Sequence, residues 1–230
     1  TISQALFGEL FKIIEPQNEW TKIQLLNDGY IGFVQNQQWM KIDNFDNIEF
    51  YCNANSANKV KSNLSKIRIP IGANIWKNNG NHPVLSNFTF SKKVKYKILS
   101  KQSSQKQVIK SAQKFIGSPY LWGGKTTAGI DCSGLVQVVF QVNGIQLPRD
   151  AYQQAEIGQT IPINECKIGD LAYFTQKSEK ISHVGIISDI SNKGIKIIHS
   201  SAYVRIDSLD EKGINYTNHE NQLIYSHDLK

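Results

Sequence analysis

One cysteine of this chain stands in a setting that suits nucleophilic chemistry. Cys132 lies within the tetrapeptide 131–134, where an irregular, glycine-rich stretch gives way to an apolar run. Two histidines, His183 and His199, follow downstream in segments rich in Val and Ile, which are typical of strands. A thiol with imidazoles that can take its proton is the minimum equipment for covalent acyl transfer. The sequence therefore predicts a cysteine hydrolase that acts on amide bonds.

The predicted position of Cys132 at the start of a helix has a chemical purpose. The first helical turn leaves backbone N–H groups unpaired and carries a partial positive charge. Because both stabilise a thiolate, we expect the pKa of Cys132 to lie below the usual value of about 8.5. The same N–H groups can donate to the oxyanion of a tetrahedral intermediate, typically worth roughly 3–4 kcal/mol per donor. Gly134 is expected to let the backbone and a substrate approach each other closely.

The two histidines are expected to be neighbours in space. His183 opens one predicted strand and His199 closes the next, with a turn at residues 192–194 between them. The start of one strand in an antiparallel hairpin lies near the end of its partner. This arrangement provides His183 as a base and His199 as the group that fixes its tautomer. Either histidine alone could be an ordinary polar residue at a strand end, and it is the combination with Cys132 that favours catalysis.

The elements that position these residues are predicted to be helices followed by an antiparallel sheet. Ser104 begins a capping-box motif ahead of a helical pattern that ends at Gly117. Residues 135–142 are apolar nearly all round and predict a buried helix, and Asp150 could cap another short one. Strands are predicted over residues 171–174, 183–188 and 195–200. This half of the chain is therefore α+β.

The first hundred residues have a different texture. Short bursts of alternating apolar and polar residues are separated by Asn, Gly and Pro, and residues 27–29 (Asn-Asp-Gly) are typical of a hairpin turn. Such spacing predicts small β-barrels. We place a first barrel at residues 1–42, a second small β domain or barrel extension at 43–100, and the α+β domain at 101–230. The first half could be a scaffold with no chemistry of its own.

Composition narrows the possible partners. The net charge is +7, but the lysines are scattered, and Lys92-Lys93 is the densest pair, so nucleic-acid binding is not expected. A mildly basic surface suits an anionic small substrate or a cell-wall polymer equally well. No apolar run approaches the roughly 18–20 residues that span a membrane, so no membrane partner is expected.

The three cysteines and the first residues bear on compartment and metals. Their odd number and lack of paired spacing argue against a disulfide framework and favour a reducing compartment. No zinc-binding spacing is present, and neither a metal nor a cofactor is expected. Residues 1–4 show no secretion signal, so we expect a cytoplasmic protein, or a periplasmic or secreted one if a signal precedes this sequence.

Six short motifs, in order and with suitable spacing over residues 104–225, resemble those of the NlpC-type peptidoglycan cysteine peptidases. They are residues 119–124 (PYLWGG), 131–136 (DCSGLV), 147–149 (LPR), 169–171 (GDL), 183–186 (HVGI) and 198–200 (IHS). The resemblance implies a papain-like core with a triad of Cys132, His183 and His199, which cleaves amide bonds next to D-glutamate in stem peptides. Tyr120 matches the family tyrosine whose hydroxyl lies near the oxyanion, although a packing role would explain it as well.

The N-terminal stretches 4–9 and 28–34 resemble a bacterial SH3-like domain. The combination resembles the γ-D-glutamyl-L-diamino-acid endopeptidases that recycle murein peptides, in which the SH3-like domain closes one end of the cleft. That resemblance implies a murein peptide with a free N-terminal L-alanine as the substrate, and no obligate protein partner. The resemblance implies that the amine-binding groups are Tyr30, Asp131, Ser133 and Glu9. A buried ammonium needs such a carboxylate and acceptors around it, although Asp131 could instead be a plain helix cap.

Two other functions stay open from the sequence. The same thioester chemistry could serve a remodelling hydrolase or amidase that acts on intact peptidoglycan, or the barrels could bind wall polymer beside a vestigial triad. Arg149 and Asp150 could bind a substrate carboxylate bidentately, but a helix-cap and surface role is the simpler interpretation.

Overall fold

The computed structural model describes residues 1–42, 48–56, 58–62, 66–78, 88–90, 96–98, 103–175, 180–217 and 223–229. The first half contains only strands and one short 3-10 turn within these ranges. Its strands are β1 (Phe11–Pro16), β2 (Trp20–Leu25), β3 (Ile31–Gln35), β4 (Ile48–Asn53), β5 (Lys59–Ser62), β6 (Lys66–Arg68), β7 (Asn74–Asn78), β8 (Phe88–Phe90) and β9 (Tyr96–Ile98).

The second half begins with helices and ends in strands. Its helices are α1 (Gln105–Ala112), α2 (Cys132–Gln141) and α3 (Ala151–Ala155). Its strands are β10 (Lys125–Thr126), β11 (Gly129–Ile130), β12 (Leu171–Thr175), β13 (Ile181–Ser191), β14 (Gly194–Ser201), β15 (Tyr203–Asp210), β16 (Gly213–Thr217) and β17 (Leu223–Leu229). The predicted order of helices and then an antiparallel sheet is confirmed. None of the described helices has the length and apolar character needed to cross a membrane.

The first strands form a meander of three, in the order β1-β2-β3. The turn between β2 and β3 lies at the predicted Asn-Asp-Gly, where Gly29 adopts a φ of +72° and donates its N–H to the carbonyl of Leu25 at 3.0 Å. A positive φ is easy for glycine and costly for most other residues, which explains why this turn signal is reliable.

Residues 48–98 add two further three-stranded sheets, in the orders β7-β4-β9 and β6-β5-β8. A small core of Val60, Ile69, Ala73 and Ile75 lies among them. The predicted second β domain is described only in part, since residues 79–87, 91–95 and 99–100 lie outside the described residues. Domain boundaries at residues 43 and 100–101 also fall there and remain predictions.

Helix α2 is the centre of the second half. Every one of its residues is buried, which confirms the predicted buried helix. Helix α1 begins after Ser104 as predicted, but the Ser104 side chain makes no capping hydrogen bond. A 3-10 turn then extends the helix to Phe115, and Gly117 follows with a φ of +84°, as a C-terminal glycine cap requires.

The last six strands close into an antiparallel barrel, β12-β13-β14-β15-β16-β17. Because side chains alternate along a strand, β13 and β14 send alternate residues to the barrel interior and to the core that packs against the helices. Apolar residues from β12 to β16 fill the interior, namely Ala172, Phe174, Ile187, Ile197, Leu209 and Ile214. The opposite face supplies Val184, Ile186, Ile198 and Val204 to the large core that also holds α1 and α2.

The N-terminal segment is joined to the second half by buried polar contacts. The Lys125 ammonium donates to Glu9 Oε1 at 3.1 Å, with both side chains 1% exposed. The Lys125 backbone N–H donates to Gln4 Oε1 at 2.8 Å. Gln137 of α2 donates to Asp28 Oδ2 at 2.8 Å. These contacts place the N-terminal sheet β1-β2-β3 against the helix that carries Cys132. This three-stranded sheet occupies the region predicted as the first barrel, and we call it the first barrel.

Candidate active site

A cavity of about 640 Å³ lies where the N-terminal segment meets the N-terminus of α2. Six of the eight residues predicted for the site line it, and they are Tyr30, Tyr120, Asp131, Cys132, Ser133 and His183. His199 lies behind His183, and Glu9 is not part of the lining. The wall also includes Ile2, which belongs to the leading segment, residues 1–10, ahead of β1. Together with Tyr30 of the first barrel, it closes part of the cavity.

Asp131 is the N-cap of α2. Its backbone is extended, and its Oδ1 accepts the Gly134 N–H at 2.7 Å, which satisfies one of the unpaired donors of the first turn. Its Oδ2 accepts the Gly123 N–H at 2.7 Å and the Arg149 guanidinium at 2.6 Å. The helix-cap interpretation of Asp131 is therefore confirmed, and both of its oxygens are occupied.

Arg149 is not a surface residue. It is 2% exposed, and its guanidinium contacts Asp131, Ser133 Oγ at 2.8 Å and Ser3 Oγ at 3.1 Å. The prediction of a surface role was wrong, since the arginine is buried. Its guanidinium neutralises the buried carboxylate of Asp131. In doing so it also ties the leading segment to the start of α2.

Cys132 is the first residue of α2 and is 7% exposed. Burial and the neighbouring Asp131 carboxylate raise the pKa of its thiol to about 11, although backbone hydrogen bonds act in the opposite direction. The sequence predicted a lowered pKa from the helix N-terminus. In this cavity the loss of hydration outweighs that effect, so the thiol is protonated at neutral pH and has to give up its proton to react.

The two histidines are neighbours, as predicted. His199 faces Gly185 across β13 and β14, and His183 Nε2 lies 2.9 Å from His199 Nδ1. The rings meet nearly at right angles, at 87°. His183 is 5% exposed and lines the cavity, whereas His199 is 1% exposed and does not line it.

The strand beyond His199 carries two residues that the sequence did not single out. His199 Nε2 lies 3.0 Å from Asp207 Oδ2, and Asp207 Oδ1 accepts from Arg205 Nε at 3.1 Å and Nη2 at 2.8 Å. The alternation of Val204, Arg205, Ile206 and Asp207 does put the two charged residues on one strand face. Nothing in the sequence shows that this face meets His199.

Tyr120 stands beside the thiol at the cavity wall. Burial, then the proximity of Cys132 and Asp131, raises the pKa of its hydroxyl to about 12. The hydroxyl therefore stays protonated at neutral pH and can donate a hydrogen bond, as an oxyanion-stabilising group must.

Glu9 lies outside the cavity, and its carboxylate is engaged elsewhere. Oε1 accepts from Lys125 and from Asn27 at 3.3 Å, and Oε2 accepts the Leu6 N–H at 2.7 Å. The geometry does not support its predicted role in binding an amine. The carboxylate and the Lys125 ammonium instead hold the first barrel to the second half of the chain.

Asp150 was predicted to have a helix-cap and surface role, but its carboxylate belongs to the site. It lines the cavity at the N-cap of α3, yet its side chain makes no hydrogen bond to the described residues. Burial raises its pKa, with Asp131 and Asp28 adding to the effect and Arg149 opposing it. Tyr30 is close enough for Asp150 to raise the pKa of its hydroxyl as well, after burial. Among the described residues, no group of three or more His, Cys, Asp or Glu could hold a metal ion.

Comparison with known proteins identifies the two parts of the chain. Residues 117–222 match the NlpC/P60 family, and residues 1–38 match the bacterial dipeptidyl-peptidase SH3 domain. The resemblance predicted from the motifs is confirmed, and the chain combines an NlpC/P60 domain with a bacterial SH3 domain.

Individual relatives agree with this assignment. A γ-D-glutamyl-L-lysine dipeptidyl-peptidase of Bacillus subtilis is 29% identical over 219 residues, covering 86% of this chain and 71% of that protein. A probable endopeptidase of Haemophilus influenzae, an NlpC homolog, is 40% identical over 100 residues, covering 43% of this chain and 51% of its own length. The crystal structure of an NlpC/P60 family protein from Bacillus cereus shares the fold, with a TM-score of 0.78 at 21% identity over 90% of this chain and 77% of that one. The α+β fold with a papain-like core is thereby confirmed, and both named relatives are peptidases.

Proposed function

We propose that this protein is a cysteine endopeptidase that hydrolyses the γ-D-glutamyl-L-diamino-acid bond of murein peptides with a free N-terminal L-alanine. The observation that carries the proposal is one cavity in which Cys132 and His183 line the wall beside Ile2 and Tyr30 of the N-terminal region. The similarity to the dipeptidyl-peptidase of Bacillus subtilis supports the same substrate class. Recycling of such free peptides would place the protein in the cytoplasm.

The reaction begins with transfer of the Cys132 proton to His183. The sulfur attacks the γ-glutamyl carbonyl, and the new C–S bond leaves negative charge on the carbonyl oxygen. Tyr120 and the Cys132 backbone N–H donate to that oxygen. The C–N bond then breaks, and the departing amine takes the proton from His183.

Hydrolysis of the thioester returns the protein to its starting state. His183 accepts a proton from water, and the hydroxide attacks the thioester carbonyl. The C–S bond breaks, His183 returns the proton to the sulfur, and the dipeptide leaves as a carboxylic acid that then releases its proton to water. No cofactor takes part in these steps.

The restricted cavity favours a peptide end over a long polymer. Ile2 and Tyr30 line the same cavity as Cys132 and His183, and we place them on the amine side of the scissile bond, where they limit the space for substrate. An ammonium there needs an anionic acceptor. Asp131 is occupied by Arg149 and two backbone N–H groups, so Asp150 is the carboxylate best placed for it, with Tyr30 and Ser133 as further polar partners.

The test is mass-spectrometric cleavage of L-Ala-γ-D-Glu-L-Lys and its diaminopimelate counterpart, each beside its N-acetylated twin. We expect cleavage of the peptides with a free amine and none by a Cys132→Ala variant. Equal cleavage of acetylated peptides would contradict the amine pocket and favour an enzyme of intact peptidoglycan. Absence of cleavage in all of them, with sedimentation onto purified wall, would favour a binding protein instead.

A further inference from the structure

A chain of buried hydrogen bonds continues past the two histidines to a carboxylate and a guanidinium. It runs from His183 Nε2 to His199 Nδ1 at 2.9 Å, and from His199 Nε2 to Asp207 Oδ2 at 3.0 Å. Asp207 is 7% exposed, and Arg205 donates twice to its other oxygen. All four side chains belong to three adjacent barrel strands, β13, β14 and β15.

Asp207 is ionised within this chain. Burial acts to raise its pKa, but hydrogen bonds from His199 and Arg205 outweigh burial and hold the pKa below its usual range. An ionised carboxylate has no proton to donate, so both of its oxygens are acceptors. The groups that act on Asp207 are the His199 imidazole and the Arg205 guanidinium, and at neutral pH Asp207 faces them as an anion.

Arg205 is itself held in place by aromatic rings. Its guanidinium lies 4.9 Å from the centre of the Tyr216 ring on β16 and 5.6 Å from that of Tyr203. Such contacts attract a cation and limit its freedom. The guanidinium therefore presents a fixed fork to Asp207 and leaves the other carboxylate oxygen turned toward His199.

The fixed acceptor determines where each imidazole carries its proton. A neutral imidazole has one N–H and one lone pair. Since Asp207 only accepts, His199 must carry its proton on Nε2, and its Nδ1 is then an acceptor. His183 must in turn donate from Nε2, and its Nδ1 is left as the unprotonated nitrogen.

We propose that Asp207, oriented by Arg205, is a positioning residue that fixes both histidines in the Nε2–H tautomer and so makes Nδ1 of His183 the proton acceptor. The consequence for catalysis rests on the proposed function, in which His183 takes the Cys132 proton. The tautomers themselves do not depend on it. Each imidazole then holds its proton on Nε2, and Nδ1 of His183 is left to accept the Cys132 proton.

The direct test is long-range ¹H–¹⁵N NMR of protein labelled with ¹⁵N-histidine, which reports the protonated ring nitrogen. The other three histidines are identified by substituting His82, His219 and His227. We expect Nε2–H at both His183 and His199 in the unaltered protein. Detection of Nδ1–H as the main form of either one would overturn the proposal without any variant.

Asp207→Asn provides the second readout. The amide has nearly the same shape but can either donate to or accept from His199 Nε2, so the tautomers should become mixed. We expect kcat to fall by about 10–100-fold with KM within about twofold, a smaller loss than the roughly 10⁴-fold seen when a carboxylate in direct contact with a catalytic histidine becomes an amide. Arg205→Met keeps the carboxylate and should give a smaller loss.

The matched control is Asp210→Asn on the same strand. Asp210 accepts from the turn N–H groups of Lys212 and Gly213 and from Asn215, away from the histidines. The Asp210→Asn variant should change thermal stability. It should change neither the tautomers of His183 and His199 nor the values of kcat and KM. Unchanged tautomers in folded Asp207→Asn protein would contradict the proposal. Correct tautomers in a protein that cleaves no peptide would instead count against the proposed function alone.

Discussion

At the residue scale, Cys132 is subject to two opposing influences. The unpaired N–H groups of the first turn of α2 favour a thiolate, whereas a buried site next to Asp131 disfavours it. The result is a pKa of about 11, well above that of a thiol in water. The cysteine is therefore a neutral thiol at neutral pH, and in the proposed mechanism its reactivity depends on proton transfer to His183.

This state of the thiol predicts how Cys132 reacts with iodoacetamide. Because only the thiolate reacts, the alkylation rate should rise about tenfold per pH unit from pH 7 to about pH 10, without a plateau near neutrality. Intact-mass spectrometry measures the rate, and a Cys132→Ser variant subtracts the contributions of Cys52 and Cys166. A plateau near pH 7 would show instead that a thiolate–imidazolium pair already exists in the resting protein.

Asp150 gives a second prediction at this scale. Asp150→Asn removes the carboxylate proposed to receive the substrate ammonium, and a charged hydrogen bond is typically worth about 1.5–3 kcal/mol. We expect KM for the free-amine peptide to rise by about 10–100-fold with little change in kcat. Glu156→Gln, at the exposed C-terminal end of the same short helix, is the matched control and should leave KM unchanged.

The pH dependence of KM for the free-amine peptide follows from the raised pKa of Asp150. The carboxylate is charged above its pKa, so the free-amine peptide should bind well at neutral pH and more weakly as the pH falls. The weakening should begin at a higher pH than for an ordinary aspartate and should be missing in Asp150→Asn. If KM rose in the same way at low pH in both proteins, Asp150 would not be part of the amine pocket.

At the scale of elements, the start of α2 is packed against the glycine loop before it. A Cβ on Gly134 would lie 2.3 Å from the Gly124 carbonyl oxygen and 2.9 Å from Asp131 Oδ1. Gly134 was predicted to leave room for a substrate, but it does not line the cavity and instead leaves room for this loop. The loop in turn supplies the Gly123 N–H that helps to fix Asp131.

We therefore expect Gly134→Ala to be destabilising despite alanine's preference for helices. Crowding against a backbone carbonyl should cost about 1–3 kcal/mol and should displace the Asp131 cap, so kcat should fall as well. Gly32→Ala on β3 meets no atom within 4 Å and is the control, with stability nearly unchanged. Thermal unfolding and the peptide assay measure the two effects. Equal melting temperatures in both variants would contradict the packing role.

The elements were largely predictable because their signals are local. A continuous apolar run gave the buried helix α2, and Asn-Asp-Gly gave the β2–β3 turn. The pairing of His183 with His199 followed from hairpin geometry. Asp207 and Arg149 could not be assigned in this way, since their partners are brought to them by β15 crossing beside β14 and by the loop folding onto α2.

At the scale of the whole molecule, the cavity depends on how the first barrel is held against α2. Part-buried hydrogen bonds help to hold it, namely Ser3 with Arg149, Gln4 with Lys125, and Asp28 with Gln137. The buried ion pair of Glu9 and Lys125 adds to them. Since Ile2 and Tyr30 reach the cavity from this side, any shift of the barrel should change the amine end of the site before it changes the thiol end.

Lys125→Met tests this coupling. The methionine has a similar length, but the Glu9 carboxylate would be left buried without its cation, and breaking a buried pair in this way typically costs about 3–5 kcal/mol. We expect a lower melting temperature and, in the protein that remains folded, a smaller preference for the free-amine peptide over its acetylated twin. Glu9→Gln in the same protein removes the unpaired charge while keeping the acceptor for the Leu6 N–H, so the double variant should regain part of the stability. It should not regain the preference, because the barrel still lacks the ionic contact that holds it in register with the cavity.

If the double variant recovered neither stability nor selectivity, the unpaired charge would not be the cause of the defect. If Lys125→Met lost stability but kept full selectivity, the first barrel would stabilise the fold without shaping the site.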